Sequence, residues 1–94
     1  MTLDELFAII EDRKNNPQHG SYTLSLLEAG ADRMLQKVGE EAVEVILAAK
    51  GQGDERLVEE IADLFYHILV LLSSRDLKLA DVGTELSRRH TPSP

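Results

Sequence analysis

No cysteine occurs in the 94 residues. That excludes a disulfide framework and any thiolate metal site. Tryptophan is also missing, and tyrosine and phenylalanine supply two residues each, while leucine is common. Long apolar runs are lacking too. The longest, Leu64 to Leu72, is nine residues and contains Tyr66 and His67, too short and too polar to span a bilayer. The amino terminus, Met1-Thr2-Leu3-Asp4-Glu5-Leu6-Phe7, has no basic region ahead of an apolar stretch, so it does not read as a signal peptide. No membrane is expected as a partner, and a cytoplasmic location follows as the default. Basic charge is scarce as well. The net charge is -7, which does not suit long nucleic acid, because phosphate contacts need basic surface.

What is present is acid, unevenly placed. Between Lys37 and Asp63 lie eight acids and three bases, a local balance of -5. Such an excess serves either as a solvated helix face or as a site for a hard cation.

The length is that of one domain, expected over residues 1–90. The tail Thr91-Pro92-Ser93-Pro94 is expected to be disordered. A chain this short buries a modest fraction of its surface, so association would help it. Four to five helices are predicted, an all-α bundle completed by dimerisation. Thr2 and Glu5 form a capping box for a first helix, Asp4 to Lys14. Asn15 to Gly20 is a loop by its turn chemistry. Ser21 or Thr23 starts a short helix that ends near Gly30. A long helix runs from Asp32 to Lys50 and is stopped by Gly51-Gln52-Gly53. Asp54 is expected to cap the next, which reaches about Ser74. The last, Leu79 to Arg89, is started by Asp76 or Lys78. Gly39 interrupts the long helix at a cost of roughly 1 kcal/mol against alanine, which suggests close packing or close approach of a substrate.

The two long helices carry the same device. Lys37-Val38-Gly39-Glu40-Glu41-Ala42-Val43-Glu44 lies on one, and Glu59-Glu60-Ile61-Ala62-Asp63 on the other. Residues three apart on a helix share a face, so Glu41 with Glu44, and Glu60 with Asp63, each project two acids one way. Like charges so close repel unless a cation or water offsets them. On a helical wheel, Lys37, Glu40 and Glu44 fall within about 100° of Glu41, with apolar residues on both edges of the stripe. In the second helix Ile61, Leu64, Phe65, Ile68 and the following leucines cover nearly everything outside the acidic arc. A helix apolar almost all round is buried, and one short protomer can hardly cover it, so a two-fold homodimer is expected.

Magnesium takes oxygen ligands and shares its shell with substrate phosphates and water, and facing helices commonly build such sites. Glu41, Glu44, Glu60 and Asp63 are the expected metal ligands, with Mg2+ as cofactor. Glu59 is four residues before Asp63 and also stands near that face, but the spacing that mirrors Glu41 and Glu44 favours Glu60. Glu40, on the same stripe, is the candidate to orient or deprotonate a water. Lys37, Arg13, Lys14 and Arg75 are candidate phosphate contacts, and Tyr22 a candidate substrate contact. Helix-end cations also serve as caps, which is the plainer account of Arg13 and Lys14. A lone histidine such as His67, on a mostly apolar helix, is more often a hydrogen-bonded core residue.

Glu40-Glu41-x-x-Glu44 followed by Glu60-x-x-Asp63 resembles the signature of the all-α nucleoside triphosphate pyrophosphohydrolases, the MazG-like group. The Lys37-Val38-Gly39-Glu40-Glu41 run, Ser21-Tyr22-Thr23, Tyr66-His67 and Arg88-Arg89-His90 resemble one family within it, the phosphoribosyl-ATP pyrophosphohydrolases. The resemblance covers about Leu6 to His90. It implies magnesium-dependent hydrolysis of phosphoribosyl-ATP to phosphoribosyl-AMP and pyrophosphate, the second step of histidine biosynthesis. It assigns the metal to Glu41, Glu44, Glu60 and Asp63, gives Glu40 a supporting part, and implies a dimer or larger assembly. Two other readings fit the same residues: a house-cleaning nucleoside triphosphate pyrophosphohydrolase, and a non-catalytic helical dimerisation module.

Overall fold

A computed structural model describes residues 1–90; the tail at 91–94, expected to be disordered, lies outside the described residues. Five helices follow one another: α1 (Leu3–Asn15), α2 (Tyr22–Ala29), α3 (Ala31–Gly51), α4 (Asp54–Ser74) and α5 (Leu79–Arg89). No strand occurs among the described residues. The fold is all-α, as the apolar spacing predicts.

The helix ends show why the chain breaks where it does. The Thr2 hydroxyl accepts from the Glu5 amide at 3.1 Å, and the Glu5 carboxylate accepts from the Thr2 amide at 3.0 Å. That is the capping box. Ser21, rather than Thr23, caps α2, its Oγ accepting from the Leu24 amide at 3.2 Å. The Asp81 carboxylate accepts from the Lys78 amide at 2.8 Å and starts α5 at Lys78 rather than at Asp76. The expected cap at Asp54 is corrected to Gly53, whose φ of 91° is open to glycine and strained for other residues. Asp54 is instead the first acid of the helical turn, where it meets the positive end of the helix dipole. Gly30, at φ 94°, makes the corresponding turn between α2 and α3.

The core is small. Phe7 and Ile10 of α1, Leu26 of α2, Met34 of α3, and Leu69 and Val70 of α4 bury together, with Leu6, Leu27, Tyr66, Leu72 and Leu79 packed around them. Each such side chain contributes about 1.5–3 kcal/mol when fully buried. Gln52 and Gly53 alone link α3 to α4, so the two long helices fold back on each other as a hairpin.

One chain leaves part of the apolar surface of the long helices uncovered. Val58 and Phe65 of α4 stand exposed, as do Val43, Ile46 and Leu47 of α3. The apolar edges of the acidic stripe are therefore open in the single chain, where α3 packs on α4 and α2, and α4 on α3, α1 and α2. Gly39 departs from the close-packing expectation. A Cβ placed there meets nothing within 4 Å.

Candidate metal-binding site

The hairpin brings carboxylates from both long helices to one point. Oxygens of Glu41 on α3, and of Glu60 and Asp63 on α4, lie within 4.8 Å of one another. They run from buried to open: Glu60 is 3 % exposed, Glu41 is half-buried, and Asp63 faces solvent. Helical spacing places Glu60 and Asp63 on one side of α4, and the tight link at Gly53 folds that side onto α3. Of the two adjacent glutamates on α4, Glu60 enters the cluster, while Glu59 stays at the surface.

The electrostatics register the crowding. Burial pushes the Glu60 carboxyl above the ordinary glutamate range, and the charges of Asp63, Glu44 and Glu41 push it further, against the pull of Arg56. Glu44 is not one of the three whose oxygens converge, yet its charge is felt at both Glu60 and Arg56. Glu40 stands on the rim. Its Oε1 accepts from Gln36 Nε2 at 2.8 Å. Lys37 lies 3.8 Å from Glu40 and 3.4 Å from Glu41.

Arg56 was not among the residues that the acid spacing singles out. Its guanidinium donates to Glu59 at 3.0 Å and lies 2.7 Å from a Glu60 oxygen as an ion pair. The signal was there in the four-residue interval from Arg56 to Glu60, the distance at which opposite charges on a helix meet.

Below the acids, polar contacts continue. The His67 Nδ1–H donates to the Asp63 carbonyl at 2.7 Å, which leaves Nε2 to accept from the Tyr22 hydroxyl at 3.1 Å. His67 is thus a hydrogen-bonded core residue, one helical turn from Asp63. Tyr22 is half-exposed and stacks on Tyr66, with ring centroids 6.2 Å apart. The Tyr66 hydroxyl bonds Thr23.

The other cations go elsewhere. Lys14 donates to the Ser73 carbonyl and to Asp76, both at 2.9 Å. Arg13 pairs with its neighbour Asp12 at 3.0 Å. Arg75 ends α4, about 18 Å along the helix axis from Asp63 at the usual rise per residue.

Hard oxygen donors converge here, and the nearby imidazole has both nitrogens committed. That donor set suits magnesium or a similar hard divalent ion better than zinc. A three-carboxylate focus between facing helices is a donor set that would hold a hard divalent cation. Residues 3–90 match the family model described as phosphoribosyl-ATP pyrophosphohydrolase. Proteins named phosphoribosyl-ATP pyrophosphatase are similar along most of the chain. The one from Clostridium botulinum is 54 % identical over 93 % of this chain and 79 % of its own length. That from Clostridium acetobutylicum is 52 % identical over 94 % and 80 %, and that from Methanocella arvoryzae 48 % identical over 93 % and 94 %. The chain belongs to the phosphoribosyl-ATP pyrophosphohydrolase family.

Proposed function

We propose that the chain hydrolyses phosphoribosyl-ATP to phosphoribosyl-AMP and pyrophosphate, in the second step of histidine biosynthesis, using Mg2+ held by Glu41, Glu60 and Asp63 with Glu44 beside them. The observation that carries the metal site is the common focus of the three carboxylates, in a chain whose relatives bear the name of that activity. Bound there, magnesium supplies charge for the triphosphate oxygens and acidifies a water. The protein's own groups do the rest. Glu40, held at the rim by Gln36, orients the attacking water and takes its proton. Lys37, already beside the acids, faces the phosphates as the bond between the α-phosphorus and the leaving pyrophosphate breaks. Tyr22 presents a half-exposed ring and a hydroxyl next to His67, which suits a contact with the nucleoside part. Arg13, Lys14 and Arg75 drop out of this reading, because Lys14 is held by the Ser73 carbonyl, Asp76 and Glu11, and the others meet a different partner or stand at a distant helix end.

We infer further that residues 1–90 act as one domain, in the cytoplasm, and as a homodimer. No helix among the described residues is long and apolar enough to cross a membrane. For the dimer the support is uncovered apolar surface. Val43, Ile46, Leu47, Val58 and Phe65 are exposed on the hairpin, and Leu3, Phe65, Ile68, Val82 and Leu86 line an apolar groove of about 640 Å³. Patches of this kind mark association surfaces.

Turnover of phosphoribosyl-ATP set against a panel of deoxynucleoside triphosphates, with magnesium and then with chelator, tests the activity. Phosphoribosyl-ATP should be the fastest substrate, and chelator should abolish the reaction. Faster hydrolysis of an ordinary deoxynucleotide would overturn the substrate, and full activity in chelator would overturn the metal. Light scattering on the eluting protein should give twice the 10.5 kDa chain mass.

A further inference from the structure

Arg56 and Lys37 stand at the same spacing before the acids of their helices. Lys37 precedes Glu40, Glu41 and Glu44 by three, four and seven residues, and Arg56 precedes Glu59, Glu60 and Asp63 by the same intervals. Each cation reaches two acids, one at the rim and one in the cluster: Lys37 at 3.8 Å from Glu40 and 3.4 Å from Glu41, Arg56 at 3.0 Å from Glu59 and 2.7 Å from Glu60. The contact is closest where burial is deepest, at Glu60.

We propose that Arg56 is a positioning residue, a built-in counter-ion that holds the buried Glu60 carboxylate in place while the site is empty and hands it over to a divalent ion. An isolated buried carboxylate is costly, and removing its only partner leaves that cost uncompensated. Among the described residues, Arg56 is the one cation within ion-pair distance of Glu60. The guanidinium is half-exposed and sits on the same helix. It also holds the exposed Glu59, so it can release Glu60 and remain paired at the surface. A fixed positive charge beside a ligand opposes an incoming cation. Arg56 therefore stabilises the metal-free protein and weakens its grip on the metal. The inference rests on the magnesium reading of the cluster.

The test uses the full chain and Mn2+ as the probe, by calorimetric titration and by melting with chelator or with metal. Arg56→Gln should melt lower than wild type in chelator. It should bind Mn2+ more tightly by roughly three- to tenfold, the scale of one charge removed at this range. Its melting temperature should rise more on adding metal than that of wild type. Arg56→Lys should restore wild-type behaviour in part. Glu59→Gln should weaken Mn2+ binding, since the arginine then keeps Glu60 as its one carboxylate within ion-pair distance among the described residues. Equal or weaker Mn2+ binding by Arg56→Gln, with wild type binding normally, would overturn the role of Arg56 alone. No Mn2+ binding by wild type would overturn the metal reading and this inference with it.

Discussion

Helix α4 ends in two charged regions built from the same residue types. Near its start, Glu40, Glu41, Glu44, Glu59, Glu60 and Asp63 share two cations, Lys37 and Arg56. At its far end, Lys14 and Lys78 meet Glu11 and Asp76. Charge closes in the second region, two acids against two lysines. It does not close in the first, where an excess of negative charge surrounds a carboxylate that is 3 % exposed. Folding alone gives no reason to gather uncompensated carboxylates around a buried one. The balanced region reads as structure, and the unbalanced one is where the proposed magnesium would offset the excess charge.

The largest expected effect breaks the unbalanced region. Glu60→Gln keeps the shape of the side chain but removes a ligand charge. Activity should fall by about a hundredfold or more, the scale on which electrostatic groups act in transition states. Added magnesium should no longer raise the melting temperature, while the melting temperature in chelator should not fall. Kinetics and melting curves on one preparation check all three.

Lys14→Met should do the opposite, because it breaks the balanced region. Lys14 ties the end of α1 to the Ser73 carbonyl and to Asp76, so the melting temperature should drop by several degrees with kcat/KM unchanged. A raised KM with normal melting would instead return Lys14 to the substrate. The pH dependence separates the regions further. Hydrogen bonding to Lys14, and then its charge, hold the Asp76 carboxyl below the ordinary aspartate range, and Asp76 in turn raises Lys14. The stabilisation is therefore complete above the unfolded aspartate value, near 3.8, and is lost as the pH falls through the lowered one. On the lysine side it is complete below 10.5 and is lost as the pH rises through the raised value. Glu60 has the other sign. Its raised value means that the folded chain binds a proton more readily than the unfolded one, so its contribution declines as pH climbs above 4.5. Melting temperatures of wild type and Lys14→Met should converge in acid, whereas those of wild type and Glu60→Gln should diverge as Glu60 ionises.

Much of this contrast was readable from local spacing. The capping box at Thr2 and Glu5, the turn at Gly53 and the paired acids on α3 and α4 all depend on intervals of three or four residues, which one helix fixes by itself. The preference for Glu60 over Glu59 came from that same periodicity, and the structure brings Glu60 to the cluster. Pairings between residues far apart in the chain, outside the acidic hairpin, leave no mark on local spacing. Lys14 and Asp76 are 62 residues apart, and nothing local distinguishes a lysine tied to a distant aspartate from one waiting for phosphate. Arg56 escaped for a different reason. It is local, but weighing the acids alone leaves out the cation that one of them holds. Glu44 shares its face of α3 with Glu41, yet the cluster takes Glu41, since where α3 meets α4 decides which turn of the helix supplies the oxygen.

The smallest effect sharpens the comparison at Gly39, in the helix interior beside Glu40 and Glu41. Alanine there should gain about 0.5–1 kcal/mol by restricting the unfolded chain, and the melting temperature should rise by a few degrees, because the new Cβ meets nothing within 4 Å. Within the folded protomer, glycine therefore gains nothing at this position. If Gly39→Ala is more stable and equally active, the glycine serves no purpose at the site. If it is more stable but raises KM, the backbone at Gly39 lies against the substrate, and the open space beside the acids is where the triphosphate passes. A lower melting temperature at high protein concentration, with normal stability when dilute, would place the partner protomer there instead.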